Sequence, residues 1–176
     1  MKNLLPIILI ACMLATPASA AMKYTDANRI SVRKTLNKLQ NNKNFKEGIS
    51  WDNSKVYYAT TFSAYSRFTA KACMAFAVQL TDTAWRKAFN KTLAQVKEKA
   101  SLTIIKKGSQ YPDLTKKIRV GDIVHLNNTH WVVITRISGG KYILAEGNFN
   151  KKVHWGRTLS KAEMKKTATE LYTRWK

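Results

Sequence analysis

Cysteine and acid are both scarce in this sequence. Of 176 residues two are cysteines, Cys12 and Cys73, and 10 are Asp or Glu, against 31 Lys and Arg. Pro-rich linkers, internal repeats and low-complexity tracts are also missing, which leaves no seam at which a second domain would begin. No apolar run approaches the roughly 20 residues that a membrane-spanning helix needs. The longest, from Leu4 to Leu14, follows Lys2, is broken by Pro6 and runs into Ala18-Ser19-Ala20. That is the pattern of a secretory signal peptide over residues 1–20, cleaved after Ala20. A rival reading takes Leu9-Ile10-Ala11-Cys12 as a lipoprotein box, with Cys12 lipidated.

Cleavage would leave residues 21–176 as one domain with a single core, periplasmic or secreted. It would also leave Cys73 alone, unable to close an internal disulfide in an oxidising compartment. A lone cysteine there is either a buried apolar filler or a reactive thiol. The shortage of acid leaves 30 basic against 10 acidic residues after the leader, a net charge of +20, so the chain should seek a polyanion. An exported protein meets wall polymers, anionic head groups and lipopolysaccharide first. Its basic residues are mostly Lys, spread over the whole length, with no helix-turn-helix, zinc-finger or aromatic RNA-binding signature, so nucleic acid is not the expected partner.

The hydrophobic pattern predicts helices first and a sheet second. Ile30, Val32, Leu36 and Leu39 give an amphipathic helix over 25–39. Residues 51–68 are aromatic and Ser/Thr-rich without a clean period and read as loop or short extended pieces. Ala70, Cys73, Ala77 and Leu80 form the stripe of a largely buried helix with Cys73 in its first turn. Trp85, Ala88, Phe89, Leu93 and Val96 suggest a further helix. Strands follow at 118–126, 131–137, 141–146 and 152–155, parted by Asn- and Gly-rich turns, which means an antiparallel sheet. Ser160 and Glu163 make a capping box for a closing helix carrying Met164, Ala168 and Leu171. The expected class is α+β, with N-terminal helices packed on a C-terminal antiparallel sheet.

A thiol is a nucleophile at neutral pH when a helix N-terminus and an imidazolium stabilise its thiolate. Cys73 has the first by its place. Among the three histidines, His130 opens a strand after the Asn127-Asn128-Thr129 turn, at the sheet edge, and is the best base; His125 and His154 read as surface or rim residues. Whether an acid reaches His130 depends on the hairpin between 131–137 and 141–146. A two-residue Gly139-Gly140 loop puts His130 on the opposite face from Glu146 and Asn148, unless a bulge compensates. A three-residue Ser138-Gly139-Gly140 loop, the reading adopted, sets Asn148 opposite His130 and Glu146 one diagonal step away. Asp122 reads as a turn residue, with the orienting acid as its alternative role. Trp131 and Trp155 read as core or rim, and Gly147 as a close-approach or bulge position.

Lys71 to Ala77 (K-A-C-M-A-F-A), Arg119 to Val124 (R-V-G-D-I-V), His130 to Ile134 (H-W-V-V-I) and Glu146 to Asn148 (E-G-N) resemble, in order and spacing, the CHAP amidase family of NlpC-type papain-like cell-wall peptidases. The resemblance covers about residues 73–155. It implies a papain-like fold, the catalytic set Cys73, His130, Glu146 and Asn148, and a cysteine peptidase or amidase cutting peptidoglycan amides through a thioester. Two family features differ. The Gln that commonly precedes the cysteine, assigned to the oxyanion hole, is Ala72 here, so donors are expected from the Cys73 N–H and from residues 65–67. The Asp-rich calcium loop of some members has no counterpart between Trp51 and Ala72, so neither metal nor cofactor is implied. The same triad would also serve an acyl-transferring or deamidating toxin, and the charge would also serve a non-catalytic protein that binds wall or membrane polyanions. A monomer is expected, with peptidoglycan or another envelope polyanion as partner and peripheral membrane contact compatible with the charge.

Overall fold

The computed structural model describes residues 22–59, 68–92, 103–108 and 111–176. The expected leader with Cys12, the 65–67 segment, and Leu93 and Val96 lie outside the described residues. Helix α1 spans Asp26–Leu39, capped by the Thr25 hydroxyl, which accepts the Asn28 N–H, and it buries Val32, Leu36 and Leu39. Ile30 stays on the outer face, so the buried stripe is narrower than expected. The aromatic segment after it supplies an antiparallel pair, β1 (Val56–Ala59) and β2 (Phe68–Lys71). Its β-branched and aromatic residues suit a pleated surface even without clean alternation.

Helix α2 runs Ala72–Ala88. It starts two residues later than the Ala70 stripe suggests, because Ala70 belongs to β2 and pairs with Tyr57. Trp85 and Ala88 form its last turn rather than a separate helix. Nothing between Leu80 and Trp85 breaks the helix, and it stops where Asn90 turns left-handed at φ 48°.

Six further strands make one antiparallel sheet: β3 (Thr103–Lys106), β4 (Ile123–Leu126), β5 (His130–Ser138), β6 (Lys141–Phe149), β7 (Lys152–Ser160) and β8 (Ala168–Thr173), in the order β3-β8-β4-β5-β6-β7. The strand expected from 118 begins only at Ile123, because Arg119 to Asp122 form a turn around Gly121, at φ 89°. The closing helix α3 (Lys161–Thr167) has the reciprocal Ser160/Glu163 capping box but ends before Ala168. Ala168 and Leu171 lie instead on β8, where Leu171 pairs with Val124 on one side and Ile105 on the other. A central slot in the sheet, filled by the β-favouring Thr169, Tyr172 and Thr173, outweighs the helical spacing of two residues.

The α+β layout of N-terminal helices on a C-terminal antiparallel sheet is therefore present. Strand alternation divides the core. Ile123, Val133 and Ala145 meet Phe76, Leu80 and Trp85 of α2 and Val32 of α1 on one face; Val124, Val132, Ile134 and Leu144 meet Met164 and Leu171 on the other. Gly147 sets how closely α2 lies on β6, since a Cβ there would come within 2.4 Å of Phe76 Cβ.

Candidate active site

The turn between β5 and β6 has two residues, Gly139 and Gly140, with Ser138 paired to Lys141, so the three-residue loop expected from sequence does not form. Taken alone, that turn would aim His130 and Glu146 to opposite faces. The ladder corrects it. Arg136 pairs with Ile143, but the next pair is Ile134 with Leu144, so Thr135 is an extra residue with no partner of its own. Its hydroxyl donates to the Ile143 carbonyl at 2.9 Å, which secures the bulge. Beyond it the register is the one that the longer loop would have produced, with Val133 opposite Ala145.

Cys73 is buried in the first turn of α2, whose N-cap, Lys71, makes no side-chain capping bond. The positive end of the helix lies beside the sulfur, which takes a bond from the Met74 N–H. The preceding residue, Ala72, takes φ 50°, a left-handed conformation that costs a non-glycine residue energy. It is clamped on both sides: its N–H donates to Lys55 O at 2.9 Å, and its carbonyl accepts the Trp51 indole N–H at 2.9 Å. Burial pushes the Cys73 thiol up, but the hydrogen bond with His130, the Trp131 and Met74 N–H groups and the His130 charge outweigh it and bring the thiol below its ordinary range.

His130 Nε2 lies 2.8 Å from Glu146 Oε2, which leaves Nδ1 for the thiol. Burial draws the imidazolium down, yet its bonds to Cys73 and Glu146 and their charges push His130 up to about 9. A lowered thiol beside a raised imidazole moves the pair toward thiolate and imidazolium. Glu146 is fully buried, with Arg157 Nε 2.7 Å from Oε1 and Nη2 2.8 Å from Oε2. Burial raises the Glu146 carboxyl, but the hydrogen bonds from His130 and Arg157 and their charges carry it below the usual carboxylate range.

The structure thus brings Cys73, His130 and Glu146 into one hydrogen-bonded chain. Asn148 stands beside it rather than in it: at φ 59° it leaves regular strand geometry, and its amide donates to Asn53 Oδ1 at 2.8 Å. Asp122 is elsewhere, completely buried at the entry to β4, where its Oδ2 accepts the Arg119 N–H at 2.7 Å. His125 stacks on the Trp131 ring, while His154 bonds Glu47. Trp155 is core, its indole N–H donating to Phe45 O, and Trp131 is half-buried beside the site. A cleft of about 350 Å³ has His130 in its wall, together with Asn127, Thr129, Asn148, Asn150 and Arg157 among others. Among the described residues no group of three or more His, Cys, Asp or Glu side chains gathers as for a metal ion.

The residue that sequence reasoning missed is Arg157. Its one sequence signal is Gly156 inside a strand, at φ 93°, the mark of a bulge that re-aims its neighbour.

No family model and no curated protein matches the chain. Similarity to solved structures is at a low level, as two of them illustrate. The crystal structure of Ly7917 has 13% identity and a TM-score of 0.39, covering 85% of this chain and 62% of that one. The structure of Ly7917 with the hydrolyzing product of MDP has 16% identity and a TM-score of 0.42, covering 81% and 62%. This chain spans less than two thirds of their length, and at these scores no residue role is carried across.

Proposed function

We propose that the protein is an exported cysteine peptidase or amidase that hydrolyses peptidoglycan amide bonds, with Cys73 as nucleophile, His130 as acid and base, and Glu146 as the group that orients the imidazole. The observation that carries this reading is the continuous hydrogen-bonded chain from the Cys73 thiol through His130 to the buried Glu146 carboxylate. The choice of wall as substrate rests on the leader-like N-terminus, the +20 charge and the motif resemblance to CHAP amidases.

The chemistry follows from the charges. The thiolate attacks the amide carbonyl carbon, and the backbone N–H of Cys73, in the uncapped first turn of α2, can donate to the oxygen that becomes negative. His130 enters the step as imidazolium and gives its proton to the leaving nitrogen as the C–N bond breaks, leaving a thioester and a neutral ring. The same ring then takes a proton from water, whose oxygen attacks the thioester, and the acid and thiolate are released. Glu146 keeps Nε2 occupied throughout, so that Nδ1 always faces the sulfur.

Digestion of purified sacculi with the mature protein, followed by mass analysis of the soluble fragments, tests this. Release of peptide or amide cleavage products by the wild type, and none by Cys73→Ala, is the expected result. Release that survives Cys73→Ala, or wild-type binding to sacculi without any release, would overturn the reading.

A further inference from the structure

We propose that Arg157 is a positioning residue of this site: its guanidinium grips both oxygens of Glu146, fixing the carboxylate as an ion aimed at His130 and thereby sustaining the Cys73 thiolate. The proposal rests on the Cys73–His130 reading above and extends it to a fourth side chain.

Three bonds exhaust what a rotating carboxylate could otherwise do. Arg157 Nε takes Oε1 at 2.7 Å and Nη2 takes Oε2 at 2.8 Å, a parallel fork that sets the plane of the carboxylate. The remaining lone pair on Oε2 then has one partner, His130 Nε2, at 2.8 Å. Charge gives a second reason. Thiolate and Glu146 carry two negative charges, imidazolium and Arg157 two positive ones, and the four sum to zero in a site where Glu146 has no solvent exposure. Without Arg157 the same group would hold a net negative charge out of water. It would relax by taking a proton, at the thiol or at Glu146, and either one undoes the nucleophile.

The backbone is bent to put Arg157 there. From Ile143↔Thr158 the β6–β7 pairing moves to Ala145↔Trp155, so Gly156 and Arg157 together oppose Leu144. The left-handed Gly156 turns its successor onto Glu146. The other titratable groups nearby have different partners: His154 on β7 bonds Glu47, and His125 on β4 stacks on Trp131 and feels the charges of Glu170 of β8 and of His130. Among the described residues the side chains bonded to the Glu146 carboxylate are His130 and Arg157. Arg157 also lines the cleft beside His130, so a small cation can reach its place from solvent.

The test reads the thiol and needs no substrate. The rate of Cys73 alkylation by iodoacetamide is measured from pH 4 to 9 on the mature chain, with melting temperature recorded alongside. In Arg157→Gln the loss of a cation raises the Cys73 pKa, so the acid limb moves to higher pH and alkylation at pH 6 falls about tenfold, the equivalent of one pKa unit. Methylguanidinium added to Arg157→Ala restores the limb, because the emptied position opens on the cleft. If the Gln variant does not fold, Arg157→Ala folded in methylguanidinium replaces it, and dialysis of the cation should move the limb. A melting temperature that drops while the limb stays put makes Arg157 purely structural and overturns the proposal. A wild type that alkylates no faster than a free thiol at pH 6 overturns the Cys73–His130 pair itself, and the role of Arg157 with it.

Discussion

Among the described residues two carboxylates are buried against an arginine, and they have opposite surroundings. Asp82, in the middle of α2, pairs with Arg174 just beyond β8 and accepts the Tyr57 hydroxyl of β1 at 3.0 Å. Arg174 has no exposed side-chain surface, and burial, then Asp82, hold the Tyr57 hydroxyl protonated well above its ordinary range. Glu146 is equally buried, but its partners are about a quarter exposed, His130 at 24% and Arg157 at 29%. The same ion pair therefore serves two ends. Around Asp82 the bonds tie three parts of the chain together, α2, β1 and the segment after β8. Around Glu146 one partner titrates, and it connects the buried charge to a thiol.

That contrast can be broken by exchanging the two effects. Asp82→Ala should destabilise the fold by about 3–5 kcal/mol, the usual cost of orphaning a buried charge, read by urea denaturation, while the pH profile of Cys73 alkylation stays in place. Glu146→Gln should do the reverse, lowering turnover by about 10² or more and shifting the alkylation profile, with a smaller loss of stability. Parallel outcomes for the two variants would erase the distinction.

Acidity sharpens it next. With His130 pushed up to about 9 by its bonds to Cys73 and Glu146, the imidazolium persists through neutral pH, so turnover should fall as pH rises through about 9. The stabilisation that His130 gains from its partners is fully present below its unfolded pKa near 6.5 and is lost across the same upper range. A basic limb near pH 6.5 in the pH–rate profile would contradict the pairing.

Asp122 offers a third, smaller contrast, a buried acid to which no cation is bonded among the described residues. Desolvation pushes it up to about 8, against bonds from Thr173 and the Arg119 N–H that lower it. An acid raised in the folded state stabilises below its unfolded pKa near 3.9, and that contribution drains away as pH rises toward 8. Asp122→Asn keeps an acceptor for Arg119 and should raise the melting temperature at pH 8 more than at pH 4. Smallest of all, Asn148→Ala should lower turnover by less than about tenfold, below the range of a positioned acid or base, because its amide holds Asn53 and not the imidazole.

Legibility in the sequence followed the range of the forces. Cys73 and His130 could be placed because a helix start and a strand start are local events; Glu146 reached its expected register through the Thr135 bulge and not through the three-residue loop that was expected. Asn148 was expected opposite His130, but neither its left-handed turn nor its distant partner Asn53 could be read from the sequence. Ala168 and Leu171 kept helical spacing and still became strand, since the vacancy they fill lies between β3 and β4, far away in the chain. Arg157 was one cation among 31, and only the fold says which of them meets a buried acid. Thr135 was hidden differently: a threonine in a strand looks the same whether or not it has a partner opposite.

Thr135 also makes the hairpin a counting device. Two residues in the turn plus one surplus residue in the strand have the same parity as three in the turn and none in the strand. Deleting Thr135 therefore acts as a frame error written in space, moving every side chain from Ile134 back to His130 to the wrong side of the sheet. Inserting one glycine between Gly139 and Gly140 should suppress it, as a second indel restores a reading frame. Related chains can then differ at both places and still keep His130 and Glu146 together, so an alignment that scores the two gaps separately would misjudge a pair of changes that cancel.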